Sequence, residues 1–356
     1  MIQQWLIKVL LAPIALLYGL TVLVRNGLYR IGFFKSIGFS FPVISVGNLS
    51  VGGTGKTPHI EYFIQHLQEY IRIGVLSRGY GRKTQGYRLV QTRDHAELSG
   101  DEPTQIKRKY PATAVAVSEN RALGIPQLLK TDPEIQLILL DDAFQHRAVR
   151  PALSVLLTDF NRPYYDDFLL PVGRLREWRG AARRADVIVV TKCPANLDVL
   201  TKEQIRQKIH PQSNQKVYFS TLEYGQPYSF WDSSSRLPFS SDLNILLISA
   251  IAHTDHLTDY LTPRVREVRH LEFTDHHYFT KYDMGQMKAA FDGMEKAPKV
   301  LLTTEKDATR LELHYNYLIG EKLPIFVLPL RVRFLDEQHE TPFLDYIQKQ
   351  LLAFTV

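Results

Sequence analysis

The apolar run Pro42-Val43-Ile44-Ser45-Val46 feeds a glycine-rich turn, Ser50-Val51-Gly52-Gly53-Thr54-Gly55-Lys56-Thr57. A strand that ends in such a turn and restarts as a helix leaves few folds open. The glycines let successive backbone N–H groups curl around an anion, and the Lys56 ammonium reaches the outer phosphates of a nucleotide. The helix that begins near Thr57 points its positive end at the same place. Residues 50–57 are therefore the expected phosphate site, with the Thr57 hydroxyl set to ligate Mg²⁺. Ser50 stands where the usual pattern has its first glycine, and Pro58 suits a first helical turn.

With 45% hydrophobic residues there is ample material for a core. The length allows one large domain, or one domain and a smaller lobe. The formal charge of +6 suits an anionic membrane surface or phosphorylated ligands as well as nucleic acid. No nucleic-acid partner and no obligate protein partner is expected. The single cysteine, Cys193, excludes an internal disulfide and a cysteine-rich metal site.

Trp5–Val24 reads WLIKVLLAPIALLYGLTVLV, with Lys8 as its one charge, and Arg25, Arg30 and Lys35 follow. Its length is about that of a bilayer-spanning helix, although Pro13 and Gly19 interrupt it. Three readings stand: a membrane-associated helix, which is preferred, a single span, or a buried core helix. No small-residue cleavage site argues for a signal peptide. In the first two readings the basic residues put the following domain on the cytoplasmic side.

From Pro42 onward, strand-like runs alternate with helical stretches. The strands are expected at 43–46, 72–76, 114–117, 135–140, 152–157 and 187–190, with helices near 59–70 and 121–130. That rhythm predicts an α/β fold of the P-loop NTPase type, a mostly parallel sheet with helices on both faces. Periodicity is lost over 212–242, which reads as a crossing into a smaller C-terminal α/β lobe. There, strands are expected at 245–248, 268–273, 300–303 and 325–328, with helices near 282–294 and 344–352. The expected organisation is residues 1–35 as a hydrophobic membrane-associating helix, 36–215 as the nucleotide-binding domain, and 216–356 as the lobe with a returning helix.

Leu137–Leu140 followed by Asp141-Asp142 reads as the metal half of a phosphate site, with a carboxylate at the end of a central strand. Which of the two aspartates touches the metal stays open. Gly100-Asp101-Glu102-Pro103 reads, on spacing alone, as a helix N-cap. In Asp275-His276-His277 an acid can orient an imidazole. Arg176-Glu177 offers a phosphate clamp and a metal ligand, or a surface charge cluster. After the strand at 187–190, Pro194 stands where a guanine-reading acid would be, which argues against GTP.

Together these segments resemble the tetraacyldisaccharide 4′-kinases of lipid A assembly. The matching pieces are Val46–Pro58, Ser77–Arg82, Gly100–Pro103, Asp141–Arg147, Leu170–Glu177, Phe273–Phe279 and Thr303–Ala308, in order and over nearly the whole chain. Ala143 departs from the glycine expected there. The resemblance implies ATP-dependent phosphorylation of the 4′-hydroxyl of a tetraacylated glucosamine disaccharide 1-phosphate. The product would be lipid IVA, and the place the cytoplasmic face of a bacterial inner membrane. It implies that Lys56 and the loop amides hold the phosphates, and that Thr57, Asp142 and Glu177, with Asp141 beside them, hold or orient Mg²⁺. It implies that Asp101, with His276 as partner, acts at the sugar hydroxyl, which overturns the N-cap reading. Asn48, Arg78, Arg121, Gln145, His146 and Arg176 become contacts to substrate or phosphates. The rival is a P-loop GTPase or metallochaperone-like switch, which would need guanine selectivity and a metal-ligand cluster.

Overall fold

The structure, a computed structural model, describes residues 2–251, 254–275, 277–295, 298–335 and 341–354, with backbone only for 2–7. Two sheets organise the chain. Their strands are β1 (Val43–Asn48), β2 (Ile73–Ser77), β3 (Arg88–Leu89), β4 (Ala114–Val117), β5 (Leu137–Asp141), β6 (Leu153–Asp159) and β7 (Val187–Thr191). They continue as β8 (Lys216–Tyr224), β9 (Tyr228–Ser229), β10 (Asn244–Ser249), β11 (Glu267–Glu272), β12 (Lys299–Thr304), β13 (Ile325–Leu328) and β14 (Leu330–Phe334).

The larger sheet runs β14-β8-β7-β6-β1-β5-β2-β4-β3 and is parallel except at its edges, where β3 and β14 pair antiparallel. Its central strands are apolar in unbroken runs because both faces are covered. In β5, Leu137 and Leu139 enter one core layer while Ile138 and Leu140 enter the other. The first layer is closed by the helix Lys56–Leu67, which buries Ile60, Phe63, Ile64 and Leu67 at helical spacing. Each such burial stabilises by roughly 1.5–3 kcal/mol. Helices Arg121–Thr131 and Val199–Ile209 cover the opposite face.

The segment expected to be an aperiodic crossing holds β8, which lies in the first sheet beside β7. Five of its residues are buried, but its polar end, Leu222-Glu223-Tyr224, hides the strand pattern. The expected boundary at 215/216 therefore falls just ahead of a strand of the larger sheet. The second sheet runs β11-β10-β12-β13-β9. The chain then returns: β14 joins β8, and helix Phe343–Leu352 seals the first core, with the Phe334 and Phe343 rings stacked at 3.9 Å.

The N-terminal helix Ile2–Arg30 lies largely outside both cores; Leu10 is 77% exposed and Leu17 64%. Lys8–Arg30 is long and apolar enough to cross a membrane, and 11% of its most apolar window is buried, so it is not a core helix. It is nevertheless docked. Tyr18 Oη donates to the Arg176 carbonyl at 2.9 Å, and Trp178 Nε1 donates to the Gly19 carbonyl at 3.1 Å.

Candidate active site

Strand register brings the glycine turn and the acidic pair together. Val46 lies level with Asp141, so the loop leaving β1 and the turn leaving β5 open on the same edge of the sheet. This is where open parallel sheets bind ligands. Gly55 begins the helix with φ 83°, a conformation that favours glycine. Gly52 and Gly53 are exposed at the lip, while Thr54 is buried and its carbonyl accepts from Thr191 Oγ1 at 2.9 Å. Val51 N donates to the Arg174 carbonyl at 2.8 Å, tying the loop to the 170–177 segment. Thr57 is half-buried in the first helical turn.

The cations converge on Asp142. Lys56 Nζ stands 3.9 Å from Asp142 Oδ1 and 3.5 Å from Asn48 Oδ1. Arg176 forks onto Asp142 at 2.8 and 3.2 Å, and its Nη2 also donates to the Asn48 carbonyl at 3.0 Å. Burial raises the Asp142 carboxyl, but Lys56 and Arg176 outweigh it and hold the group below its ordinary value. Asp141 is the reverse case. It is 1% exposed, and burial, then the charges of Glu102 and Asp142, push it up to about 7. Its Oδ2 accepts from Ser77 Oγ at 2.9 Å, and its Oδ1 is buried with no hydrogen-bond partner.

Several of the expected contact residues make internal bracing contacts. Asn48 is fully buried, and its Nδ2 donates to the Ser50 carbonyl at 2.7 Å, shaping the loop. Gln145 Nε2 donates to the Asn48 carbonyl at 2.9 Å. Arg121 is 2% exposed, and its guanidinium donates to the carbonyls of Ser118 (3.0 Å) and Asp141 (3.1 Å), so it supports the acidic turn from behind. Burial brings it down to about 10 despite the nearby acids. His146 Nε2 accepts from Arg121 N at 3.2 Å; burial, then Arg121, Arg25 and Arg78, pull it down to about 4, so the ring is neutral. Arg78 is exposed.

Glu177 departs from its expected place. It is 1% exposed and faces the foot of the N-terminal helix, accepting from Asn26 Nδ2 at 3.0 Å and pairing with Arg184 at 2.8 Å and Arg25 at 3.7 Å. Its Oε2 takes the Asn26 and Arg184 contacts, while its Oε1, with Arg25 at 3.7 Å, is buried with no hydrogen-bond partner. Among the described residues no three His, Cys, Asp or Glu side chains cluster as a metal cage. Beside Glu177, a cavity of about 220 Å³ is lined by Arg25, Tyr29, Phe34 and the 145–148 loop.

Asp101 lies at the start of helix Asp101–Lys109, with Gly100 rather than Asp101 as its N-cap. Gly79 and Gly100 let two turns touch: a Cβ on Gly100 would lie 2.9 Å from the Tyr80 carbonyl oxygen. The close approach seats the helix start against the Ser77–Arg82 turn. Asp101 Oδ2 accepts from Arg310 Nε at 3.1 Å, across the two sheets. Its expected partner, His276, lies outside the described residues. Two residues on, Tyr278 is close enough that, after burial, the Asp101 charge raises its hydroxyl. His277 is taken by Asp283 at 2.9 Å.

Ser77 and Arg310 were missed by sequence reasoning. Ser77 ends a strand beside β5 and opens a motif already noted. Arg310 follows the Thr303–Ala308 motif by two positions, and nothing local marks its partner.

A protein-family model described as LpxK, tetraacyldisaccharide-1-P 4′-kinase, matches residues 7–349. A tetraacyldisaccharide 4′-kinase of Bacteroides thetaiotaomicron is 42% identical over 351 residues, covering 95% of this chain and 91% of that protein. One from Flavobacterium johnsoniae is 40% identical over 349 residues, covering 97% and 99%. The crystal structure of the "apo" form of LpxK from Aquifex aeolicus in complex with ATP superposes with a TM-score of 0.73 at 26% identity, covering 97% of this chain and 98% of that one.

Proposed function

The chain belongs to the tetraacyldisaccharide 4′-kinase family, and from that premise we propose how its residues divide the work. The reaction is transfer of the ATP γ-phosphate to the 4′-hydroxyl of tetraacyldisaccharide 1-phosphate, giving lipid IVA in lipid A biosynthesis. The observation that carries the residue assignment is the convergence of Lys56, Asp142 and Arg176 at the mouth of the glycine loop.

The loop amides of 50–57 and the Lys56 ammonium grip the β- and γ-phosphates and meet the charge that spreads over the transferring group. Arg176 holds Asp142 ionised and aimed at the same point. Mg²⁺ fits this donor set: Asp141 Oδ1 is buried without a partner beside two further acids, an arrangement a divalent cation relieves. Thr57, Asp142 and Asp141 would hold it, and it would neutralise charge between the phosphates. Glu177, whose Oε1 is likewise buried with no hydrogen-bond partner, would orient that set from the side of the N-terminal helix. Asp101 accepts the proton of the sugar hydroxyl, with His276 as the partner the family resemblance implies. Gln145 and His146 border the cavity beside the N-terminal helix, and Arg78 is exposed nearby, its charge acting on His146. The cavity between Arg25 and Arg147 suits an anionic part of the substrate.

We place the enzyme on the cytoplasmic face of the inner membrane, held by the helix Ile2–Arg30, with the apolar side chains of that helix in lipid and Arg25 and Arg30 at the headgroups. The support is its exposed leucines and its firm docking on the 168–184 segment. Acyl chains keep the acceptor in the bilayer, so the enzyme has to work at the surface.

The test is mass spectrometry of the disaccharide monophosphate, presented in vesicles, after incubation with ATP and Mg²⁺. The expected result is one added phosphate on the distal sugar, matched by ADP, with the chain sedimenting with the vesicles. ATP hydrolysis without lipid phosphorylation would favour a switch NTPase and overturn the reading.

A further inference from the structure

The Thr303–Ala308 motif takes no part in gripping phosphate, yet its helix, Glu305–Leu311, lies along helix Asp101–Lys109 and makes ionic contacts with it. We infer that Arg310, presented by this helix, is a positioning residue for Asp101, fixing the orientation of its carboxyl and keeping it ionised at the acceptor end of the site. The inference rests on the reading of Asp101 as the group that receives the hydroxyl proton.

Arg310 is fully buried. Its Nε donates to Asp101 Oδ2 at 3.1 Å, and its Nη2 bonds the same oxygen. Its Nη1 donates to Asp307 Oδ1 at 3.0 Å and to the Ala250 carbonyl at 3.2 Å. Asp307 is itself locked, since its Oδ2 accepts from Thr304 Oγ1 at 2.8 Å and from Ala250 N at 3.1 Å. The guanidinium is therefore a rigid fork delivered by the helix packed on the second sheet, and two of its donors pin one oxygen of the Asp101 carboxylate.

The neighbouring contacts keep the two helices in register. Lys306 stands 3.9 Å from Glu102, Lys109 lies 2.8 Å from Glu305, and Arg108 pairs with Glu312. A buried ion pair is weak evidence for stability, because desolvation offsets much of the attraction. This one ends on the carboxylate that the chemistry needs, which gives it a different role. Among the described residues, the charged and titratable groups facing Asp101 include Arg310, Lys306–Glu102 in the seam between the helices, and Tyr278, on which Glu97 also acts.

The step balances simply. The sugar oxygen bonds phosphorus, the bond from phosphorus to the ADP oxygen breaks, and the hydroxyl proton passes to Asp101. The neutral acid leaves the Arg310 donors that faced it without an anion, so the carboxylate form is favoured again, the proton is released to solvent and the carboxylate is restored for the next turnover.

The test compares the full chain with R310Q, R310K, D101N and D101N/R310Q, measuring kcat, KM for ATP and the pH profile of kcat, with thermal melting as a folding check. We expect R310Q to lose about 10–100-fold in kcat with KM for ATP unchanged, and its acid limb to move up by about 1 pH unit. R310K, which keeps the charge but not the fork, should keep the limb near wild type and regain part of the rate. Adding R310Q to D101N should cost nothing further. Wild-type kcat with an unmoved limb in R310Q, beside an inactive D101N, would overturn the role of Arg310 alone. Parallel loss of rate in R310Q and R310K with no shift of the limb would make Arg310 only a clasp and overturn it too. Near-normal turnover in D101N would instead overturn the underlying reading of Asp101.

Discussion

At the proposed phosphate end of the site most of the gripping groups come from residues 48–57, closed by a turn on the adjacent parallel strand and by Arg176. At the proposed acceptor end, Asp101 is held by Arg310, 209 residues away on a helix packed with the second sheet. The first is a backbone device, set by glycines and strand register, with charge added by Lys56 and Arg176. The second is a side-chain device, a seam of buried or half-buried ion pairs between two helices. On the proposed assignment, the difference teaches that nucleotide grip is set near one loop of this fold, whereas acceptor activation depends on how the two sheets are pinned together.

If that contrast is right, damage to the two ends separates. The largest effect is expected for Lys56→Ala, which removes the cation nearest the transferring group. Phosphoryl transfer should fall by at least ~10³-fold, with weaker ATP binding by calorimetric titration. Unchanged ATP affinity together with substantial turnover would remove the phosphate end from the account. A smaller loss is expected for Arg176→Lys, which keeps a charge beside Asp142 but loses the fork to Asp142 and Asn48. Here kcat/KM for ATP should drop by roughly 10–100-fold. A lysine variant as active as the wild type would show that charge alone suffices.

The smallest effect on rate is expected at His59, which joins the glycine loop to β8 through the Gly55 carbonyl (2.7 Å) and Ser220 Oγ (3.1 Å). Burial pulls this imidazole down to about 4, so the folded state prefers it neutral. Its contribution is fully present above the unfolded value near 6.5 and is lost as pH falls from there towards 4. The loss amounts to about 3 kcal/mol at the acid end. His59→Gln, which keeps a donor and loses the titration, should show a melting temperature that falls less than wild type between pH 7 and 4.5, with near-normal kcat at pH 8. An equal acid loss in both proteins would assign the acid sensitivity elsewhere.

Much of the first region was legible in the chain itself. The apolar runs of β1, β5 and β7 mark strands buried on both faces, and glycines next to Lys-Thr mark an anion loop. Asp141-Asp142 could be matched to that loop because parallel strands end together. The internal roles of Asn48 and Arg121 were not legible, since sequence shows that a polar group is near a site but not which way it faces. The partners of Glu177 were not legible for a related reason: Asn26 and Arg25 belong to the N-terminal helix, which was read as an anchor. The β8 strand was hidden by its polar end. The pairing of Asp101 with Arg310 left no local mark, because complementary charges on two helices specify a contact only once the sheets are placed.

The separation of the two ends is tested most directly by a single-turnover experiment on Asp101→Asn in the full chain, saturated with ATP and Mg²⁺ and mixed with vesicle-borne acceptor lipid. The account predicts ATP bound with wild-type affinity and a transfer step slowed by at least ~10²-fold. Transfer at the wild-type rate, or loss of ATP binding with the aspartate, would contradict it.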